Sequence, residues 1–322
     1  MTAQRVLVTG GGGYLGNQVV AALAQRGLPC VVCLDVRELP AERRVAGAVC
    51  ATADIRTREP LEALLREHAI DTVVHLAAIV TPGKKVDRDF EYQVDVVGTK
   101  NVLDACVAAG VSQVVISSSG AAYGYHADNA AWLSEDDPIR GNEEFAYSWH
   151  KRLVEEMLAE YRRSAPQLRQ TIFRIGTILG ATVANQITAL FDEPRPRAIA
   201  GADSPFVFIW DQDVVGAILH ALGDGPPGIY NVAGDGALSI HDIAARMGKR
   251  CRVLPPALLQ SALWLGKRLG LTQYGPEQLR FLRWRPVLDN RRLKEVFGYR
   301  PRKTSAEVFD FWWKTRRARG GG

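Results

Sequence analysis

Residues 8–16 read VTGGGGYLG, and the reading of these nine residues decides the rest of the chain. Gly10, Gly13 and Gly16 recur at every third position, directly after the apolar run RVLVTG at 5–10 and directly before a helical pattern at 14–26. Four consecutive glycines also make a plain loose turn. The strand–turn–helix setting favours a phosphate-binding turn, because glycine is needed where unusual backbone angles and close approach of a pyrophosphate coincide. The helix opens with Tyr14, Leu15 and Gly16. Its free N–H groups and partial positive charge then face the phosphates.

Outward from this turn the pattern repeats. CVVCLD (30–35), AVCATAD (48–54), DTVVHLAA (71–78), QVVISSS (113–119) and QTIFRIG (170–176) are apolar almost throughout and rich in Val and Ile. Strands covered on both faces read this way. Helical stretches fill the gaps at 14–26, 58–69, 92–109 and 147–163. The alternation predicts an α/β fold, a doubly wound parallel sheet of Rossmann type. The rhythm breaks after 176. FVFIW (206–210) and GIYNVAG (228–234) read as further strands, with a helix at 212–222, and Pro-punctuated helical segments follow from 239. The expected organisation is a nucleotide-binding domain over 1–175, rejoined by 206–234. A smaller, mainly helical substrate-binding part over 176–322 is partly interleaved with it. Open α/β sheets bind ligands at the strands' carboxyl edge, where that part is expected to pack.

Composition narrows the function classes. The chain has 322 residues, 47% hydrophobic and 23% charged, without an apolar run approaching the ~18 residues of a membrane span. MTAQRVLVTGG enters a strand pattern at once, so no signal peptide is expected. Five cysteines (Cys30, Cys33, Cys50, Cys106, Cys251) show no framework spacing. CVVC at 30–33 lies in a strand, where residues three apart point to opposite faces, so buried free thiols and a reducing cytoplasm are expected, and no metal site. Lys314, Arg316, Arg317 and Arg319 supply four of the five net positive charges. A nucleic-acid partner is therefore not expected, since binders carry their basic stripe on folded elements.

Asp35 ends the second strand, about where a carboxylate meets the adenosine ribose hydroxyls. It accepts from a 2′-OH and repels a 2′-phosphate, which favours NAD over NADP. Arg37, two residues on, bears on the same choice from the other side. Asp54 and Ile55, after the third strand, are placed to hold the adenine ring, and Asp54 equally suits a helix N-cap.

Tyr147 and Lys151 stand four apart in EEFAYSWHK (143–151). Spacing of i, i+4 puts both on one helix face. Moving a hydride between an alcohol or ketone and nicotinamide requires a proton to move on oxygen near neutral pH. Free tyrosine titrates near pH ~10. An ammonium ~4 Å away favours the phenolate by about 4 kcal/mol at an effective dielectric of 20. Ser119, at the end of the fifth strand, is placed to hydrogen-bond the substrate oxygen. Alone the pair suits any solvated helix face, and beside the glycine turn it points to function.

These motifs, in this order, resemble the extended short-chain dehydrogenase/reductase family, also described as the NAD-dependent epimerase/dehydratase family. The resemblance covers about 1–240, and PVLDNRRLKEVFGYRPRKTSAEVFDF is similar to the family's usual C-terminal end. It implies an enzyme with Ser119 as catalytic serine, Tyr147 as acid/base and Lys151 as the family's lysine. It implies that Leu76, Ala77, Ala78 and Ser117 line the cofactor, with Tyr147 and Lys151 also touching it, and that a homodimer is common. Four departures stand out. Asp95 replaces the usual asparagine, no proline follows Arg174, Thr177 replaces a common asparagine, and SPFVFIWDQD (204–213) lacks the arginine of nucleotide-sugar members. The expectation drawn from these is an alcohol/ketone oxidoreductase acting on a small hydrophobic molecule, the alternative being a nucleotide-sugar epimerase or dehydratase with transient NAD reduction.

Other features carry plainer readings. His75 is expected as a satisfied core histidine, His150 on the surface, and Ser148 as structural. Arg280, Arg283, Arg285, Arg291 and Arg292 form either a solvated basic face or an anion pocket. PALLQSALWLGKRLGL (256–271) is more apolar than one buried stripe requires and suits core packing, a pocket cap or a peripheral membrane contact. Phe309, Trp312 and Trp313, followed by the basic tail, are open to core packing or membrane contact.

Overall fold

The computed structural model describes residues 4–80, 87–271 and 275–320. Its strands are β1 (Arg5–Thr9), β2 (Cys30–Asp35), β3 (Val49–Thr52), β4 (Thr72–His75), β5 (Gln113–Ser119), β6 (Arg169–Ile175), β7 (Thr177–Leu179), β8 (Arg197–Ile199), β9 (Phe208–Trp210), β10 (Gly228–Val232) and β11 (Arg252–Leu254). The helices are α1 (Tyr14–Gln25), α2 (Arg58–Glu67), α3 (Arg88–Tyr92), α4 (Gly98–Ala109), α5 (Ala146–Ser164), α6 (Gln186–Asp192), α7 (Asp211–Ala221), α8 (Ile240–Arg246), α9 (Pro256–Arg268), α10 (Gln278–Arg283), α11 (Arg291–Glu295) and α12 (Ser305–Gly320).

Seven parallel strands form the central sheet in the order β10-β6-β5-β4-β1-β2-β3. The strand period of two divides each strand between the faces. Val6, Val8, Val31 and Cys33 pack toward α1 and α7 with Val19, Leu23, Val214 and Ile218. Leu7, Val32 and Leu34 pack the other way, toward Leu61, Leu103 and Leu158 of α2, α4 and α5. Strand order reverses between β1 and β4, the crevice where such sheets bind ligands. Cys33 is buried and free, its thiol pushed up to about 11 chiefly by burial.

The return of the chain to this sheet differs from the expectation for 206–234. Gly228–Val232 does add to the sheet, in register with β6 from Gly228↔Thr171 to Val232↔Ile175. Phe208–Trp210 does not. With β10 on the outer edge of β6, β9 pairs instead with β7, the chain's continuation beyond Gly176. A second small sheet pairs β8 with β11. Phe191, Phe206, Phe208, Phe309 and Trp312 pack around these short strands in a core of their own. Phe309 and Trp312 are 0% and 1% exposed, so core packing explains the aromatic part of α12.

Two buried polar groups set the geometry of the carboxyl edge. Arg174 on β6 meets the Glu155 carboxylate on α5 through Nε (2.9 and 3.0 Å) and Nη2 (2.6 Å). Its Nη1 donates to the Tyr123 hydroxyl at 2.8 Å, and Ser118 of β5 donates to Glu155 at 2.5 Å. Glu155 lies one and two i+4 steps from Lys151 and Tyr147, so this pair sets the rotation of the whole helix face. Removing one partner strands a charge, so Glu155→Ala should lower unfolding free energy by about 3–5 kcal/mol. Guanidinium titration checks this, and an unchanged midpoint would refute it.

The second group is His75, buried at the end of β4 as expected. Thr99 donates its hydroxyl proton to Asp95 O (2.6 Å), so it accepts from His75 Nε2 at 3.0 Å, leaving Nδ1 to accept from Thr9 at 2.7 Å. The Thr9 oxygen in turn accepts from the N–H groups of Leu76 and Ala77. Burial, with Lys151 adding to the effect, pushes the imidazole pKa down to about 3. The unfolded chain protonates this group near pH ~6.5. Between those values the unfolded state binds more protons, so stability falls as pH falls, by about 2 kcal/mol at pH ~5 from this group. Denaturant midpoints measured from pH 7 to pH 4 should show this acid limb, and His75→Gln should flatten it.

Candidate functional site at the carboxyl edge

The glycine turn closes through Gly13 N–H to Gly10 O (2.9 Å) and is tied to β2 by Gly11 N–H to Leu34 O (2.9 Å). Gly10 sits at φ +64°, and a Cβ there would lie 2.9 Å from the Ala77 backbone. At Gly16 a Cβ would lie 2.1 Å from Gly10 O. The turn is thus a backbone-walled cradle set against Leu76 and Ala77. Gly13 caps α1 without any side-chain hydrogen bond, which leaves the first N–H groups of the helix open to a ligand. Tyr14 turns its hydroxyl away, to Asp211 Oδ2 at 2.5 Å, and joins α1 to the start of α7.

Asp35 stands beside this turn. One carboxylate oxygen accepts from Gly12 N–H (3.0 Å) and the other from Arg37 N–H (3.2 Å), which keeps the group at the edge with lone pairs to spare. The Arg37 side chain is exposed. These residues fit an adenosine ribose and a pyrophosphate. Asp54 and Ile55 fit the adenine less directly. The Asp54 carboxylate is engaged by Arg56 through Nε and Nη2, whose hydrogen bonds hold it below the usual carboxylate range. Thr57, rather than Asp54, occupies the N-cap of α2. The Ile55 side chain is buried beneath Gly98.

Ser117 and Ser119 alternate with buried Ser118 along β5. Lys151 Nζ donates to Ser117 O at 2.7 Å and lies 5.6 Å from the Tyr147 ring centre. Ser119 caps the short turn Gly120–Tyr123, its Oγ accepting from Ala121 N–H at 3.1 Å. Ser148 donates to Ala121 O at 2.7 Å and accepts from Asn142 N–H, so the serine beside Tyr147 pins the first turn of α5 to the segment after Ser119. The end of β5 and the Tyr147–Lys151 face therefore meet at one edge. Ala78, next to Ala77 after β4, is half-buried on the same side.

His150 is a correction. It is not on the surface but buried, with Nδ1 3.1 Å from Asp95 Oδ2. Asp95 lies in a π-helical turn, Gln93–Val97, between α3 and α4, and its Oδ1 accepts from Ile79 N–H at 2.8 Å. One carboxylate thus joins the loop after β4 to α5 beside Lys151. The signal was present in the sequence: His150 is at i+3 from Tyr147, and Asp95 stands where the resembled family has asparagine.

The arginines of the C-terminal segment separate into two kinds. Arg280 pairs with Glu144, Arg291 with Asp289, and Arg292 with Asp136. Arg285 has no carboxylate in ion-pair range among the described residues. Its guanidinium lies 3.9 Å from the Phe206 ring centre and 5.0 Å from that of Phe281. It donates to Ser204 O and Oγ at 3.0 Å, and its Nε is out of solvent without a partner. Burial pushes its pKa down to about 9. Phe281 also packs edge-on against Tyr125, whose hydroxyl is pushed up by burial and by neighbouring Tyr147, with Arg285 opposing.

Comparison with known proteins agrees with this geometry. The profile of the NAD dependent epimerase/dehydratase family matches residues 6–233. An uncharacterised protein of Mycobacterium tuberculosis is 27% identical over 320 residues, 97% of this chain and 84% of that one. The UDP-glucose 4-epimerase of Azospirillum brasilense is 34% identical over 183 residues, 56% of this chain and 51% of that enzyme. Among solved structures, the Thermotoga maritima UDP-glucose 4-epimerase with UDP-glucose superposes with a TM-score of 0.77 at 20% identity, covering 98% of this chain and 99% of that one. The Thermus thermophilus UDP-glucose 4-epimerase complex with NAD does so with a TM-score of 0.74 at 26% identity, with 98% and 99% covered. With residues 6–233 matched by its profile, the chain belongs to the NAD dependent epimerase/dehydratase family.

Proposed function

We propose that this chain oxidises a hydroxyl of a nucleoside-diphosphate sugar and re-reduces the product in the same turnover, as an epimerase or dehydratase does. Bound NAD supplies the hydride acceptor, held by the glycine cradle and Asp35. Tyr147 takes the proton of the reacting hydroxyl and returns it. Lys151, anchored on Ser117 O, keeps a positive charge beside the phenol and has N–H groups left for the ribose. Ser119 orients the substrate oxygen.

The observation that carries the substrate class is Arg285. A partly buried cation with no ion pair among the described residues is costly, and a bound anion lowers that cost. Guanidinium suits phosphate oxygens through paired N–H donors. The arginine missing ahead of FVFIW is replaced in space, since Arg285 reaches Ser204 and Phe206 from the C-terminal segment. That absence had favoured a hydrophobic alcohol or ketone. The relatives that carry UDP-glucose or NAD in solved form support the same reading.

Binding and turnover measurements test the cofactor and the chemistry. NAD(H) should bind more tightly than NADP(H) by calorimetry, and Asp35→Ala should narrow the gap; equal or tighter NADP(H) binding would overturn the role of Asp35. For the substrate, UDP-glucose and UDP-galactose should bind and interconvert, or be dehydrated, without net NADH. Arg285→Gln should weaken UDP-sugar binding by about tenfold or more. Tyr147→Phe should lower kcat by at least about 100-fold with NAD affinity kept. Tight binding of lipophilic ketones with net NADH oxidation, and none of UDP-sugars, would instead assign a simple oxidoreductase.

A further inference from the structure

Helix α9 has no buried residue, although most of its side chains are apolar. Its half-buried positions are Pro256, Leu259, Leu263 and Gly266, one helical stripe facing the protein. The side directly opposite carries Ala257, Ser261 and Arg268, with Trp264 at its near edge. The exposed stripe between that side and the protein, however, reads Leu258, Ala262, Leu265 and Leu269, with Leu271 just beyond the helix. The large side chains of this set range from 50% exposed at Leu265 to 78% at Leu271. A row of exposed leucines along one helix marks a contact surface.

Its charge says what the contact is. Between Asp242 and Glu277 the chain carries no carboxylate, but it carries Arg246, Lys249, Arg250, Arg252, Lys267 and Arg268. Arg246 pairs with Asp310, Lys267 with Glu277, and Lys249 donates to two backbone carbonyls. Arg250 and Arg252, exposed where β11 leads into the helix, have no ion pair among the described residues. Arg268 lies over the Trp264 ring at 5.3 Å, and a tryptophan–arginine pair suits the boundary between headgroups and acyl chains. A second copy of the chain on a two-fold axis would set these arginines against themselves, and Glu277, the carboxylate at this helix, is already taken by Lys267. No helix among the described residues is long and apolar enough to cross a membrane.

We propose that the outer face of α9 lies in the surface of an anionic lipid bilayer, with Leu258, Leu265 and Leu269 among the acyl chains and Arg250, Arg252 and Arg268 among the headgroup phosphates. The helix lies flat in the headgroup boundary and does not span. Nothing in this contact involves the carboxyl edge, so it stands or falls separately from the substrate.

The test is co-sedimentation of the full chain with phosphatidylcholine vesicles and with vesicles that also contain phosphatidylglycerol. The chain should pellet with the anionic vesicles, less so at high salt, and remain in solution with the neutral ones. Leu265→Glu with Leu269→Glu should abolish pelleting, and Arg250→Glu with Arg252→Glu should weaken it more than about tenfold. Both variants change exposed side chains, and unaltered melting temperature and NAD affinity confirm that they fold. Undiminished pelleting of either variant, equal pelleting with neutral vesicles, or no pelleting at all overturns the proposal. So does a dimer seen by light scattering that Leu265→Glu disrupts, or capture of polyglutamate without vesicle binding.

Discussion

The ion pair between Arg174 and Glu155 is the contact on which the geometry of this edge depends. It joins the sixth strand to the long helix that carries Tyr147 and Lys151, and both side chains are nearly out of solvent, at 5% and 2% exposed. A charge in such a place is tolerable only when its hydrogen bonds are complete. Glu155 receives Arg174 and Ser118, while Arg174 also reaches Tyr123 and Glu135 O. Any rotation of the helix that moved Tyr147 from the edge would break this set. The helix is therefore held in one orientation by electrostatics at its middle, with Ser148 holding its first turn.

A second constraint acts from the other side. The π-helical turn Gln93–Val97 widens the backbone where Asp95 enters the interior, and such turns cluster at functional sites. Asp95 takes Ile79 N–H with one oxygen and faces His150 with the other. Glu91, one turn earlier, is also buried, and its carboxyl is raised by burial, with Asp95 adding to the effect and His150 opposing it. His75 completes the same wall with both ring nitrogens engaged. The loop that faces the glycine turn and the helix that carries the lysine are thus parts of one polar assembly, and neither moves alone.

The arginines over 280–292 follow different rules. Three of these five are paired with carboxylates on the surface, where ion pairs contribute little. Arg285 is instead enclosed by rings and a serine. A cation held that way is incompletely solvated. Tyr125 and Phe281 carry the aromatic wall from this arginine toward Tyr147.

Much of this was legible in the chain itself. Alternation of short apolar runs with helical periods specifies a parallel doubly wound sheet, because strands covered on both faces must be apolar throughout. Gly10 and Gly16 mark the turn because a Cβ at either would run into backbone. Tyr147 and Lys151 are one helical turn apart, so spacing puts them on one face, and Asp35 is read from its place at the end of a strand. What sequence could not decide are contacts between segments distant along the chain. The return of 206–210 to the sheet failed because β10 holds the one open edge of β6, a competition that no local pattern records. His150 was read as surface because its partner lies 55 residues away. Arg285 was one of several similar arginines until folding set it over Phe206, 79 residues earlier, while Arg280, Arg291 and Arg292 found carboxylates. Helical and strand periods come from the backbone and survive in any context, whereas charge pairing depends on which segments folding brings together.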